Sequence, residues 1–126
     1  MRLRVLVIED NIVFASLLNE FLKRRECNVI LTVTRDDALE AIQHGFFPDL
    51  ILLDYSMPGM SADEFLKEIR LSPFLPRLIL MTAEPEASSI GKRLGIAEVL
   101  EKPFDVGAAL DRIGLERVNI EPAKIS

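Results

Sequence analysis

The chain has 126 residues with a formal net charge of -5, and 49% of its residues are hydrophobic. This composition predicts one globular domain with a core of its own and argues against general attraction to nucleic acid or to an anionic membrane. The single cysteine excludes an internal disulfide, and no apolar run approaches the ~18 residues of a membrane span, so we expect a cytoplasmic protein.

Two kinds of segment alternate along the chain. Short apolar runs rich in β-branched residues predict buried strands at residues 3–8, 29–33, 50–53, 77–81 and 97–100. Apolar residues at helical spacing predict helices at residues 11–25, 35–44, 62–71, 86–94 and from about 105 to 114. Thr34 and Ser61 are candidate N-caps, and Gly45 and Gly95 favour helix ends. We assign residues 1–114 to one domain and residues 115–126 to a short tail.

Strict alternation of strands and helices predicts an α/β fold. Its core would be a doubly wound, five-stranded parallel sheet with helices on both faces. Right-handed crossovers leave few topologies, of which the flavodoxin-like strand order 2-1-3-4-5 is favoured. In such sheets the functional site lies beyond the carboxyl ends of the strands.

Polar residues stand where the predicted strands end. In LILLDYSMPGM (residues 50–60), for example, an apolar strand runs directly into a carboxylate. The polar residues that end the first, third, fourth and fifth strands are Glu9, Asp10, Asp54, Thr82 and Lys102. Taken singly, Asp54 is explained as a turn-opening residue, and Glu9 and Asp10 as partners of a helix dipole. Because parallel strands bring these ends to one edge, we expect the five residues to converge in one crevice.

The convergence of these groups predicts a particular chemistry. Three carboxylates in one crevice repel one another and therefore need a cation. Oxygen ligands suit Mg²⁺, which readily shares its coordination sphere with a phosphate. A carboxylate nucleophile at Asp54, a metal ion, the hydroxyl group of Thr82 and the ammonium group of Lys102 together predict a phosphoryl-transfer site.

The chain resembles the receiver domains of bacterial two-component response regulators over residues 3 to about 113. The resemblance rests on four motifs in this order along the chain: VLVIEDN, LILLDYSMPGM, LILMTA and LEKPF. It implies that Asp54 accepts a phosphoryl group from a histidine of a partner kinase. It also implies that Mg²⁺ is held directly by Asp10 and Asp54, through water by Glu9, and by the backbone carbonyl of Ser56.

The resemblance assigns the phosphoryl oxygens to two further residues. Thr82 would donate a hydrogen bond to one oxygen, and Lys102 would pair with another, its position fixed by a cis Lys102–Pro103 bond. The implied partners are a sensor histidine kinase or a histidine phosphotransfer protein, a downstream protein target or output domain, and a second copy of the chain in a phosphorylation-dependent homodimer. Direct binding to nucleic acid or to a membrane is not expected.

The sequence departs from the family pattern at four places. Glu9 stands where many members have Asp, and Ser61-Ala62 replaces a usual Asp-Gly pair. The segment from 82 to 95 is about two residues shorter than the pattern suggests, and Val99 replaces an aromatic ring that usually moves on phosphorylation. We therefore expect intact chemistry with a different output, through backbone movement around residues 82–85.

Three other functions are compatible with parts of the sequence. A flavin-binding electron carrier would need a loop after the first strand that accepts phosphate, but residues 9 and 10 are acidic and would repel one. A phosphatase with an aspartyl nucleophile would need an acid two residues after it, where this chain has Ser56. The alternative that stays open is a degenerate receiver that binds proteins independently of phosphorylation.

Overall fold

Strands and helices alternate throughout residues 2–115, which are the residues described by the computed structural model. The strands are β1 (Arg4–Ile8), β2 (Asn28–Thr32), β3 (Leu50–Asp54), β4 (Arg77–Thr82) and β5 (Glu98–Glu101). The helices are α1 (Ile12–Lys23), α2 (Arg35–Gln43), α3 (Ala62–Leu71), α4 (Ala87–Leu94) and α5 (Val106–Arg112). Every predicted element is present, and differences are confined to element ends. The predicted tail lies outside the described residues from residue 116 onward.

The five strands form one parallel sheet in the order β2-β1-β3-β4-β5, which confirms the predicted doubly wound topology. The register places Ile8 of β1 beside Leu53 of β3, and Asp54 of β3 beside Met81 of β4. The carboxyl ends of these three strands therefore lie side by side. No helix within residues 2–115 has the length and apolar character needed to cross a membrane.

Alternate residues of the central strands face opposite helix layers, as the two-residue period of a strand requires. On one face, strand residues pack with α1 and α5: they are Val5, Val7, Leu50, Leu52, Ile79 and Met81. On the other face, strand residues pack with α2, α3 and α4: they are Leu6, Ile8, Ile51, Leu53 and Leu80. Because β1, β3 and β4 are covered on both faces, their polar carboxyl-terminal residues are held on a rigid base.

Side-chain caps begin four of the five helices. The predicted N-caps are confirmed: the side chain of Thr34 accepts a hydrogen bond from the backbone N–H of Asp37, and that of Ser61 accepts one from Glu64. Helix α4 differs, because its N-cap residue Glu86 has a φ of 59° and makes no side-chain capping bond. The unusual segment predicted between residues 82 and 95 thus coincides with the one uncapped helix start among the described residues.

Helix α4 lies very close to β5 at Val99, the position where the receiver domains that the sequence resembles usually have an aromatic ring. A Cβ atom added to Gly91 would lie 2.7 Å from Cγ2 of Val99 and 2.8 Å from the backbone oxygen of Ile96. Val99 is therefore matched to a glycine on the helix that covers it. This close contact is a physical reason for a small side chain at residue 99.

Candidate functional site

Four of the five residues predicted to form one crevice, Glu9, Asp10, Asp54 and Lys102, meet in space. Nζ of Lys102 lies 2.5 Å from Oε1 of Glu9 and 3.1 Å from Oδ1 of Asp54, so this ammonium group donates hydrogen bonds to carboxylates from two other strand ends. Each of Glu9, Asp10 and Asp54 places a carboxylate oxygen within 4.8 Å of the other two. The parallel register, rather than proximity in the chain, produces this cluster.

The acidic cluster combines rigidity with access. Glu9 and Asp54 are buried, whereas Asp10 is exposed. The backbone N–H of Glu9 donates to the carbonyl of Thr32, which extends the β1–β2 ladder and fixes the start of the loop. The donor set consists of carboxylate oxygens, with the exposed Asp10 giving access to solvent, which is the kind of set that suits a hexacoordinate Mg²⁺ ion retaining several waters. The residues present therefore fit the metal ion that the sequence predicts.

Burial and the facing ammonium group have opposite effects on the ionisation of Glu9. Burial raises the pKa of the Glu9 carboxyl group above its ordinary value, although the hydrogen bond from Lys102 acts in the other direction. Burial alone would lower the pKa of the Lys102 ammonium group, but its hydrogen bonds to Glu9 and Asp54 outweigh burial and raise that pKa. Lys102 is therefore charged at neutral pH and neutralises part of the acidic cluster.

The loops that follow β3 and β4 are joined by a hydrogen bond beside Asp54. Thr82 is fully buried, and its Oγ1 accepts a hydrogen bond of 3.0 Å from the backbone N–H of Glu84. Because this bond uses the oxygen as an acceptor, the hydroxyl proton of Thr82 is free to be donated elsewhere. Ser56 is exposed, and its hydroxyl group donates to Oε1 of Glu84 at 3.2 Å. The loop after β4 thus lies within hydrogen-bonding distance of the loop after β3.

Aromatic side chains support the lysine. Nζ of Lys102 lies 5.0 Å from the centroid of the Phe14 ring, a distance at which a cation is attracted by the ring face. The rings of Phe14 and Phe104 meet edge to face, with 5.4 Å between centroids. The Lys102–Pro103 peptide bond is cis, as the resemblance implied. Phe14 belongs to α1, and the helical spacing of apolar residues does not reveal its contact with the lysine.

Sequence reasoning missed Arg35, the first residue of α2. Its side chain is buried, and its guanidinium group donates hydrogen bonds to backbone carbonyls of the loop that follows β3. The acceptors are the carbonyls of Asp54 at 2.8 Å, Tyr55 at 2.6 Å, Met57 at 3.4 Å and Met60 at 2.7 Å. The available signal was electrostatic, because a cation at the amino end of a helix opposes the helix dipole and so needs another reason to be there.

A second arginine connects the same loop to α4. The guanidinium group of Arg93 donates a hydrogen bond of 2.9 Å to the hydroxyl group of Tyr55, the residue after Asp54. The same side chain pairs with Asp63 of α3 at 3.2 Å. Both contacts are exposed to solvent and therefore weak, but they link the loop carrying Asp54 to the helix that lies over Val99.

Comparison with known sequences gives a consistent set of similarities. The family model described as the response regulator receiver domain matches residues 5–114. Sporulation initiation phosphotransferase F of Bacillus subtilis is 31% identical over 112 residues, which cover 87% of this chain and 90% of that protein. The Regulator of RpoS of Escherichia coli is 34% identical over 102 residues, which cover 79% of this chain and 30% of that protein. This chain therefore spans less than a third of the length of the latter relative.

Comparison with solved structures agrees with the sequence matches. The chemotaxis response regulator CheY4 of Vibrio cholerae has a TM-score of 0.79 and 27% identity, with 90% of this chain and 97% of that chain covered. The receiver domain of the Francisella response regulator 1452 has a TM-score of 0.77 at 22% identity, with 90% of this chain and 95% of that chain covered. The second likeness concerns the fold alone.

Proposed function

Because this chain belongs to the family of response regulator receiver domains, we propose that it is a phosphoacceptor switch of a two-component system in which Asp54 takes up the phosphoryl group. The observation that carries the proposal is the convergence of Lys102, Glu9 and Asp54 within hydrogen-bonding distance at the carboxyl edge of the sheet. A structural ion pair would need only one acid. An ammonium group shared between two acids, beside a third, suits a site that receives both a metal ion and a phosphoryl group.

The metal site of this proposal is made of Glu9, Asp10, Asp54 and the backbone carbonyl of Ser56. A bound Mg²⁺ ion would supply positive charge to the phosphoryl oxygens and to the acceptor carboxylate. The exposure of Asp10 and Ser56 gives this position access to solvent, whereas the burial of Glu9 and Asp54 fixes their direction. Buried ligands and solvent-exposed ligands both suit Mg²⁺, because the ion keeps some of its coordination positions for water and phosphate.

The proposed reaction is an in-line displacement. A carboxylate oxygen of Asp54 attacks the phosphorus of a phosphohistidine on a partner protein. The P–N bond breaks with its electron pair passing to the ring nitrogen, and that nitrogen takes up a proton from water. The ammonium group of Lys102 exchanges one carboxylate partner for a phosphoryl oxygen. The hydroxyl group of Thr82 donates its free proton to another phosphoryl oxygen. Both residues therefore act by stabilising charge that is present only after the group arrives.

The proposed partners follow from this chemistry. The donor is a sensor histidine kinase or a histidine phosphotransfer protein, and the receiver of the signal is a protein target or output domain. A phosphorylation-dependent homodimer and a cytoplasmic location belong to the same proposal. The chain would act as a signalling domain that catalyses only its own phosphorylation and dephosphorylation. The competing function, a degenerate receiver, draws its support from Val99, which cannot replace the moving aromatic ring.

Intact mass measurement after incubation with acetyl phosphate and Mg²⁺ tests the proposal. We expect one phosphoryl group to be gained by the wild-type protein and none by the Asp54→Asn variant. Asp49→Asn is a matched control, because Asp49 precedes β3 at the opposite edge of the sheet and bonds the backbone N–H of Arg4. This control should gain one phosphoryl group as the wild type does. Chelation of Mg²⁺ should abolish the gain in both proteins.

The same measurement decides between the two functions. A wild-type protein that gains no phosphoryl group from acetyl phosphate, and none from a small panel of phosphorylated histidine kinases, would support the degenerate receiver. A gain that persists in Asp54→Asn would place the acceptor elsewhere and contradict the proposed role of Asp54.

A further inference from the structure

Arg35 makes contacts that a surface residue at a helix start does not need. It is 1% exposed, although it begins α2 and its neighbours Asp36 and Asp37 are exposed. No carboxylate lies within ion-pairing distance of its guanidinium group among the described residues. Burying a cation without a paired anion is costly, so a compensating interaction is expected.

The compensation comes from one short segment, the acceptor loop, which we define as residues 54–60. Nη2 of Arg35 donates to the carbonyls of Asp54 and Tyr55, and Nη1 donates to those of Met57 and Met60. Four carbonyl oxygens of one loop are thus gathered around one planar group. Because the guanidinium group is rigid and its donors have fixed directions, these bonds restrict the loop at several points at once.

Three carbonyls inside the acceptor loop, those of Ser56, Pro58 and Gly59, are left out of this network, and of these only Ser56 has a bonded carbonyl directly on each side. The Ser56 carbonyl lies between residues whose carbonyls are bonded by Arg35, yet it accepts none of the bonds from Arg35. We propose that Arg35 is a positioning residue that fixes the acceptor loop so that the Ser56 carbonyl is presented to the metal ion. This inference rests on the proposed function, which assigns that carbonyl to the metal site.

The charge of Arg35 by itself would have the opposite effect on metal binding. Burial lowers the pKa of the Arg35 guanidinium group, and the negative charges of Asp54 and Asp10 oppose that lowering. A cation coupled to these two acids repels a second cation held by them. If charge were the whole effect, removal of Arg35 would strengthen Mg²⁺ binding. If positioning is the main effect, removal of Arg35 weakens it, so the direction of change distinguishes the two roles.

Calorimetric titration with Mg²⁺ alone provides the test. We expect Arg35→Met to weaken Mg²⁺ binding by roughly 10–100-fold, the usual effect of removing a group that orients metal ligands. Arg35→Lys keeps the charge but replaces the planar fork by a single ammonium group, so we expect it to weaken binding as well. Amide hydrogen exchange at residues 55–60 should become faster in both variants without metal, because the loop carbonyls lose their common donor.

Arg25 offers a matched control. It is another buried arginine, and its guanidinium group bonds the carbonyls of Phe21, Gly107 and Leu115, none of which belongs to the acceptor loop. Arg25→Met should reduce stability but leave Mg²⁺ affinity unchanged. Equal weakening by Arg25→Met would overturn the proposal, because it would show a general loss of rigidity.

The other possible results of these experiments distinguish a failure of the Arg35 inference from a failure of the proposed function. If Arg35→Met binds Mg²⁺ as tightly as the wild type or more tightly, the proposal is overturned. If Arg35→Met does not fold, the same result in Arg35→Lys overturns the proposal. Failure of the wild type to bind Mg²⁺ or to gain a phosphoryl group would contradict the proposed function itself. A wild type that does both, with Arg35 variants that bind Mg²⁺ equally well, would overturn this inference alone.

Discussion

Nζ of Lys102 lies 3.1 Å from Oδ1 of Asp54, although the two residues are 48 positions apart in the chain. The same nitrogen donates to Glu9. Lys102→Met would leave two neighbouring buried acids without their cation, so we expect the free energy of unfolding without Mg²⁺ to fall by about 1–3 kcal/mol. We expect Mg²⁺ to reduce this loss because it supplies the missing charge. Urea unfolding with and without Mg²⁺ measures both effects, and an equal loss in the two conditions would contradict a shared cation site.

Glu9 makes the stability of the metal-free protein depend on pH. Its pKa is raised in the folded protein above the ordinary value of 4.5, so the folded state holds this proton more tightly than the unfolded state. Its contribution to stability is therefore present below the ordinary pKa and is lost as pH rises through the raised one. At pH 7 without Mg²⁺, we expect Glu9→Gln to raise the free energy of unfolding.

Urea unfolding over a series of pH values checks this prediction. The curves of wild type and Glu9→Gln should converge toward acidic pH and separate as pH rises. Glu20→Gln, on the exposed side of α1, should follow the wild type throughout. A constant difference between wild type and Glu9→Gln at all pH values would show that the substitution acts through packing rather than through ionisation.

Thr82 is expected to act through its hydroxyl group alone. Loss of one hydrogen bond to a charged group is worth about 1.5–3 kcal/mol, so Thr82→Ala should slow phosphoryl uptake from acetyl phosphate by about 10–100-fold. Thr82→Ser keeps the hydroxyl group and should retain most of the rate. Time-resolved intact mass with Mg²⁺ present measures the rates. Equal rates for the Ala and Ser variants would refute a role of the hydroxyl group.

The contact between α4 and β5 tolerates no added volume at Gly91. A Cβ atom there would lie 2.8 Å from a backbone oxygen, which cannot move independently. We expect Gly91→Ala to lower the free energy of unfolding by about 1–3 kcal/mol. Gly107→Ala in α5 is the control, because its nearest neighbour is the Phe21 side chain, which can shift. Chemical denaturation compares the two, and equal losses would disprove the role of the rigid neighbour.

Arg93 is expected to influence the signal rather than stability. Its contacts with Tyr55 and Asp63 are solvent-exposed, so Arg93→Ala should leave the free energy of unfolding nearly unchanged. Addition of beryllofluoride, a phosphate mimic, should shift the amide resonances of residues 82–94 in the wild type. We expect smaller shifts in Arg93→Ala and in Tyr55→Phe. Unchanged shifts in both variants would exclude this route from the acceptor loop to α4.

Much of the fold was predictable from short-range patterns. The caps at Thr34 and Ser61 and the run of apolar residues before Asp54 are properties of neighbouring residues, and all appear in the structure. Parallel topology then brings the predicted strand ends together, since each strand carries its last residue to the same edge. Glu9, Asp10, Asp54 and Lys102 could therefore be assigned to one crevice without coordinates.

The amino-acid sequence by itself determined the alternation of strands and helices and the polar residues that end the strands, because both are encoded in residue spacing along the chain. Only the tertiary structure decided what Arg35, Phe14 and Gly91 do. Arg35 donates hydrogen bonds to carbonyls of the acceptor loop, beginning with that of Asp54. The ring of Phe14 lies against the ammonium group of Lys102, and the missing side chain of Gly91 allows β5 to pack closely against α4. These roles depend on distances between segments remote in the chain, and a periodic pattern contains no information about such distances.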